Sequence, residues 1–159
     1  MSMQRQRIPM ESLVEILMLQ MEKGGRADLT VTGWSMHPML RNRWDKVTLI
    51  PPQGKLKKKD IILYRRESGQ YVLHRIIGVE NETYILSGDN QAMREPVDHA
   101  QVIAVVNGFT HKGKPCSMKS ISYKLYMFLM VDCFFLRRPY LILRRRLGRF
   151  LGQLRKKLK

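Results

Sequence analysis

The stretch Gly33-Trp34-Ser35-Met36-His37-Pro38-Met39-Leu40 follows a short alternating run, Leu29-Thr30-Val31-Thr32, that reads as a strand. A glycine, a bulky ring, a serine and then Met-x-Pro make a poor plain turn and a good support for a serine held still at a strand end. Gly33 lets the backbone turn where a Cβ would clash. Met36 can fill an irregular apolar gap and anchor the segment. Pro38 fixes its own φ and pushes His37 toward extended geometry. A serine held this way, with its backbone N–H free to meet a carbonyl oxygen, is half of an acyl-transfer site.

On the N-terminal side, Met10, Leu13, Val14, Leu17 and Met21 recur at helical spacing, which predicts a helix over 9–23 with Gly24-Gly25 as its stop. On the C-terminal side, strands are predicted over 46–50, 60–64, 71–79, 83–87 and 101–106, separated by Pro51-Pro52, Glu67-Ser68-Gly69-Gln70, Asn81-Glu82 and Gly88-Asp89-Asn90. Short strands at this spacing imply a mainly β, α+β domain built on a small irregular antiparallel barrel or folded sheet. Beyond Pro115 the texture turns helical: Ser122 to Leu136 is apolar, Pro139 is expected to break it, and a second helix runs from Tyr140 to Lys159. That last helix gathers Tyr140, Leu143, Leu147, Phe150, Leu151, Leu154 and Leu158 on one face and Arg145, Arg146, Arg149, Lys156 and Lys157 on the other. Three regions result: an amphipathic helix within 1–28, a β region over 29–111, and a basic helical region over 112–159.

The 159 residues carry a formal net charge of +16. Residues 112–159 hold 14 Lys and Arg against one acid, Asp132, so the excess sits in the last third. Such a tail seeks phosphate on headgroups or nucleic acid. Cys116 and Cys133 stand apart with no CxxC, and His37, His74, His99 and His111 are scattered, so neither a metal site nor a cofactor is expected. Residues 1–7 lead into a segment with Glu11 and Glu15 and no unbroken apolar core, so no cleavable signal peptide is expected. The apolar run Leu125 to Leu136 is interrupted by Asp132 and is too short to span a bilayer.

A serine hydroxyl needs a base at neutral pH. The candidate is His74 in Tyr71-Val72-Leu73-His74-Arg75-Ile76-Ile77-Gly78, where strand alternation sets His74 with Val72 and Ile76 and turns Arg75 away. An imidazole on an apolar face stays neutral through desolvation, which suits a base. A core histidine bonded to a carbonyl would have the same pattern, and neither Ser35 nor His74 decides the matter alone.

Four blocks in order do more: Gly33 to Leu40, Asp60-Ile61-Ile62-Leu63-Tyr64, Leu73-His74-Arg75-Ile76-Ile77-Gly78 and Ser87-Gly88-Asp89-Asn90. Over about residues 29–106 the chain resembles the signal peptidase I family of the signal peptidase/LexA-like superfamily. Within it the likeness is to the branch with a histidine in place of a lysine (the endoplasmic-reticulum, archaeal and SipW-like type). The resemblance implies Ser35 as nucleophile, His74 as general base and an acid in or after the Gly-Asp-Asn turn. Asp89 is favoured, although aspartate forms turns in its own right, and Glu95 is the alternative. An oxyanion hole would rest on backbone N–H groups at Trp34, Ser35 and Met36. Trp44-Asp45 and Lys59-Asp60 depart from the family's usual Gly-Asp pairs, Trp34 stands where bacterial relatives often carry a small or hydroxyl residue, and no stretch of these residues is expected to serve as one of the family's membrane-spanning anchors.

The expected activity is that of a serine endopeptidase cutting an extended segment of a signal peptide or secreted-peptide precursor, with the substrate added as a strand. Its rate should rise with pH around the ordinary histidine value of about 6.5. The alternatives are a LexA-type self-cleaving regulator and a catalytically dead peptide-binding module of the same fold. Residues 137–159 are expected to lie on an anionic membrane surface, making the protein peripheral, with a partner protein able to supply an anchor. Nucleic acid is not an expected partner, since the tail has charge but no reading module.

Overall fold

The computed structural model describes residues 9–157, with the backbone alone for residues 145 and 150–157. The expectations placed on residues 1–8, on Leu158, and on the side chains of Arg145, Phe150, Leu151, Leu154, Lys156 and Lys157 lie outside the described residues.

Helix α1 (Met10–Gly24) buries Val14, Leu17 and Met21, the stripe that the 3.6-residue spacing demands, and ends on left-handed Gly25, whose N–H reaches the Met21 carbonyl at 2.7 Å. Eight strands follow: β1 (Ala27–Thr30), β2 (Lys46–Ile50), β3 (Ile61–Arg65), β4 (Tyr71–Glu80), β5 (Thr83–Ser87), β6 (Glu95–Val97), β7 (Val102–His111) and β8 (Lys114–Cys116). They form one antiparallel sheet in the order β1-β2-β7-β3-β4-β5-β6, with β8 hairpinned onto β7. The α+β expectation holds. The barrel does not: β1 and β6 end the order without pairing to each other, so the sheet folds over rather than closing. Register breaks between Thr48 and Leu49, Leu63 and Tyr64, and Ile76 and Gly78 supply the bends.

Folding makes two cores. One lies beneath α1 and the serine stretch and contains Leu17, Met36, Leu40, Leu49, Ile61 and Leu63. The other contains Ile62, Tyr64, Ile76, Tyr84, Leu86 and Val97. Strand β3 serves both, which is why Ile61-Ile62-Leu63-Tyr64 is apolar without alternation: each face of it is buried. Burying each such aliphatic side chain stabilises the fold by roughly 1.5–3 kcal/mol.

The sheet extends to Cys116, past the expected boundary at 111. Helix α2 (Ile121–Met127) starts at Ser120, whose hydroxyl accepts the Tyr123 N–H at 3.2 Å. A widened turn over Phe128–Asp132 follows, closed by the Cys133 N–H on the Phe128 carbonyl at 3.0 Å, and then α3 (Phe134–Lys157). The predicted break at Pro139 is therefore corrected: the chain bends at Cys133, where Asp132 is held by Lys58 and Lys59 at 2.9 and 2.7 Å. Pro139 sits inside α3 on its exposed side, where water can satisfy the carbonyl its missing N–H leaves open. Among the described residues no helix is long and apolar enough to cross a membrane.

Candidate active site

The serine stretch is pinned on both sides of Ser35. Gly33 takes φ 93°, a region closed to most side chains, and gives its N–H to Asn42 Oδ1 at 3.0 Å. Met36, Met39 and Leu40 are buried in the first core, and the Leu40 N–H returns to the Met36 carbonyl at 3.0 Å. Ser35 itself is half-buried, while Trp34 before it is exposed. Among the described residues the N–H groups of Trp34, Ser35 and Met36 have no acceptor.

The Gly-Asp-Asn turn clamps this stretch from the other side. The Asn90 N–H reaches the Ser35 carbonyl at 2.7 Å and the Asn90 side-chain amide reaches the Trp34 carbonyl at 3.3 Å. Gly88 is the hinge of the contact: a Cβ there would lie 2.7 Å from the Ser35 carbonyl oxygen and 3.0 Å from Ser35 Cβ. Opposite residues of β4 and β5 are Ile76 with Leu86 and Arg75 with Ser87. Continuing that register by one residue sets Gly88 across from His74. Cross-strand partners face the same side of a sheet, so the approach of Ser35 to Gly88 lies on the face of the sheet that carries His74. Among the described residues no hydrogen bond joins the Ser35 hydroxyl to the imidazole.

His74 is 2% exposed, on the second core. Its Nδ1 meets the Tyr64 hydroxyl at 3.2 Å, and that hydroxyl donates to Glu95 Oε2 at 2.8 Å. Arg66 grips Glu95 with two bonds of 2.6 Å. A phenol has one proton, and here it goes to Glu95, so the Tyr64 oxygen accepts and His74 must carry its proton on Nδ1. Nε2 is left with its lone pair. Burial, opposed in part by the Glu95 charge, pulls the His74 pKa down to about 4. The imidazole is thus neutral throughout the neutral range, and the expected rise near pH 6.5 moves down to about 4. Burial and the Glu95 hydrogen bond push the Tyr64 phenol well above its ordinary value, so it keeps its proton. Burial raises the Glu95 carboxyl, but the bonds from Arg66 and Tyr64 outweigh it and hold Glu95 below the usual range.

Asp89 is placed differently from the favoured expectation. Its carboxylate takes Arg75 Nε at 2.9 Å and Nη2 at 2.8 Å, plus the Tyr126 hydroxyl at 3.0 Å, and both partners of the ion pair are buried. Its carbonyl accepts Arg137 Nη1 at 2.8 Å. These bonds fasten α2 and α3 to the turn, and the group on the imidazole is Tyr64, not Asp89. Of the two acids considered, Glu95 is the one that reaches His74, through an intermediary.

Tyr64, Arg66, Arg75, Tyr126 and Arg137 were not singled out from the sequence. Tyr64 was within reach of it: pairing β3 with β4 around Glu67-Ser68-Gly69-Gln70 sets Ile62 opposite His74, and alternation brings Tyr64 to the same face. Among the described residues no three His, Cys, Asp or Glu side chains are grouped to hold a metal. No family model, no curated protein and no solved structure matches the chain.

Proposed function

We propose that the protein is a serine endopeptidase of the kind its motifs resemble, with Ser35 as nucleophile and His74 as general base. The observation that supports this is the close approach of Ser35 to Gly88, a residue that the β4–β5 register, continued by one position, sets across from His74. Nε2 of His74 takes the Ser35 proton as Oγ attacks the substrate carbonyl carbon. The oxyanion is met by the free N–H groups of the serine stretch, Ser35 among them. Imidazolium then protonates the departing amine, and water repeats the sequence on the acyl-enzyme to release the acid and restore Ser35. A base of pKa about 4 accepts a proton reluctantly, and the Tyr64–Glu95 link offsets this by setting a negative charge behind the imidazolium as it forms. Tyr64 and Glu95 are positioning residues, since neither touches the reacting atoms.

The substrate class follows the resemblance: an extended segment of a signal peptide or secreted-peptide precursor. An apolar cleft of about 350 Å³ between Met39 and Tyr123 and Tyr126 of α2 borders the serine stretch and offers room for an apolar side chain. A second reading, a peptide-binding module without catalysis, is favoured by the missing Ser35–His74 hydrogen bond. A serine-reactive acylating probe separates the two. The peptidase reading expects labelling of the wild type and background labelling of Ser35→Ala and His74→Ala. Equal labelling of wild type and Ser35→Ala would falsify it.

A further inference from the structure

Helices α2 and α3 present large apolar side chains to solvent where a helix packed on a sheet would present polar ones. On α2 and the turn after it these are Ile121, Leu125, Phe128 and Leu129, 85, 58, 51 and 47% exposed. On α3 they are Leu136, Tyr140, Leu143 and Leu147, all at least 52% exposed. Within each set the spacing is i, i+4, i+7 or i+8 and onward, so each forms one stripe along its helix. The inward side is separate: Met127, Val131, Phe134, Arg137 and Leu141 are buried. The outward stripes are thus unsatisfied surface and not part of the core.

Charge decides what covers them. Lys124, Arg138, Arg144, Arg146 and Arg149 are exposed around the stripes. The one acid in the region, Asp132, is already held by Lys58 and Lys59. A second copy of this chain would bring a like charge against a like charge. We infer that α2 and α3 form a docking surface for an anionic lipid bilayer, lying in the headgroup plane with the two stripes buried and the arginines on lipid phosphates. This goes beyond an attachment through residues 137–159 alone, because four of the eight exposed apolar side chains named above belong to α2 and the turn after it. It also joins the bilayer to the Ser35 turn, since Arg137 holds the Asp89 carbonyl and Tyr126 the Asp89 carboxylate. Lipid binding itself does not depend on the peptidase reading.

The test is flotation of the full chain with vesicles of phosphatidylcholine alone or with phosphatidylserine added, in low and high salt, beside Leu125→Glu, Leu143→Glu and the pair Arg144→Glu, Arg146→Glu. The exposed positions leave the fold intact, which circular dichroism of each variant checks. The expected result is co-flotation with phosphatidylserine vesicles, and a partition about tenfold or more lower for each leucine variant and for the arginine pair. Full loss of binding to phosphatidylcholine alone fits the same picture. Wild type left in the soluble fraction with both vesicles overturns the inference. Leu125→Glu floating like wild type overturns the part assigned to α2. A dimer in solution that either leucine variant dissociates, or RNA displacing the chain from vesicles with no effect of the leucines, assigns the surface to another occupant and overturns it as well.

Discussion

Asp89 and Glu95 both follow β5 and both are gripped at two points by an arginine, yet their surroundings set them to different tasks. The Arg75–Asp89 pair is sealed, with side chains 0 and 1% exposed, and its spare bond goes to Tyr126 on α2. The Arg66–Glu95 pair is open to solvent, with side chains 30 and 23% exposed, and its spare bond goes through Tyr64 to His74. The two networks lie on opposite faces of β4 because His74 and Arg75 are consecutive and a strand alternates. One strand thus sends an imidazole toward one acid and a guanidinium toward the other. A carboxylate near a candidate site is therefore not assigned to the chemistry by sequence proximity: the face its partner occupies decides.

The sharpest way to break this contrast is Asp89→Ala. It leaves the Arg75 guanidinium buried without its counter-charge and should destabilise the fold by about 3–5 kcal/mol, read from denaturant unfolding. Glu95→Gln, by comparison, should shift the same midpoint by no more than about 1 kcal/mol. Equal losses for the two would erase the distinction.

His74 gives the next effect. Its pKa is near 4 in the folded chain and about 6.5 when unfolded. Because the folded value is depressed, the associated stability is fully present above about pH 6.5 and is lost as pH falls through about 4. Over that window the wild type should lose about 3 kcal/mol more than His74→Gln, by unfolding at each pH. The acid limb of kcat/KM should sit in the same low region, and a limb near pH 6.5 would show an imidazole more hydrated than this one.

Gly88→Ala probes the contact between the serine and the strand. Its methyl must displace the Ser35 carbonyl or Cβ, so kcat/KM should fall about 10²-fold. The same displacement is overpacking against backbone and should cost about 1–3 kcal/mol of stability, less than Asp89→Ala. The smallest effect is expected from Tyr64→Phe, which removes the acceptor for Nδ1–H: a loss of roughly tenfold in kcat/KM, together with an altered pH profile that a purely structural role would not produce.

Periodicity carried much of this far. Helix α1 and strands β2, β4 and β5 lie within a residue or so of their expected bounds, since a strong turn signal follows each of them. Strands β6 and β8 were missed because each is three residues long and contains a proline, Pro96 or Pro115, which suits a short edge and looks like a loop. Pro139 misled in the other direction, since a proline on the solvent side of a helix costs little that water does not return.

By itself the sequence determined the α+β composition, the serine on a rigid turn, the histidine on an apolar strand and the concentration of charge in the last third. Those are properties of neighbours along the chain, where spacing and side-chain chemistry suffice. Which acid serves the imidazole, which nitrogen of His74 is free, and whether the apolar residues of α2 and α3 face inward or out were decided only by the folded sheet. Each depends on register and on the face a side chain takes, and one residue of slip between two strands would have exchanged the answers.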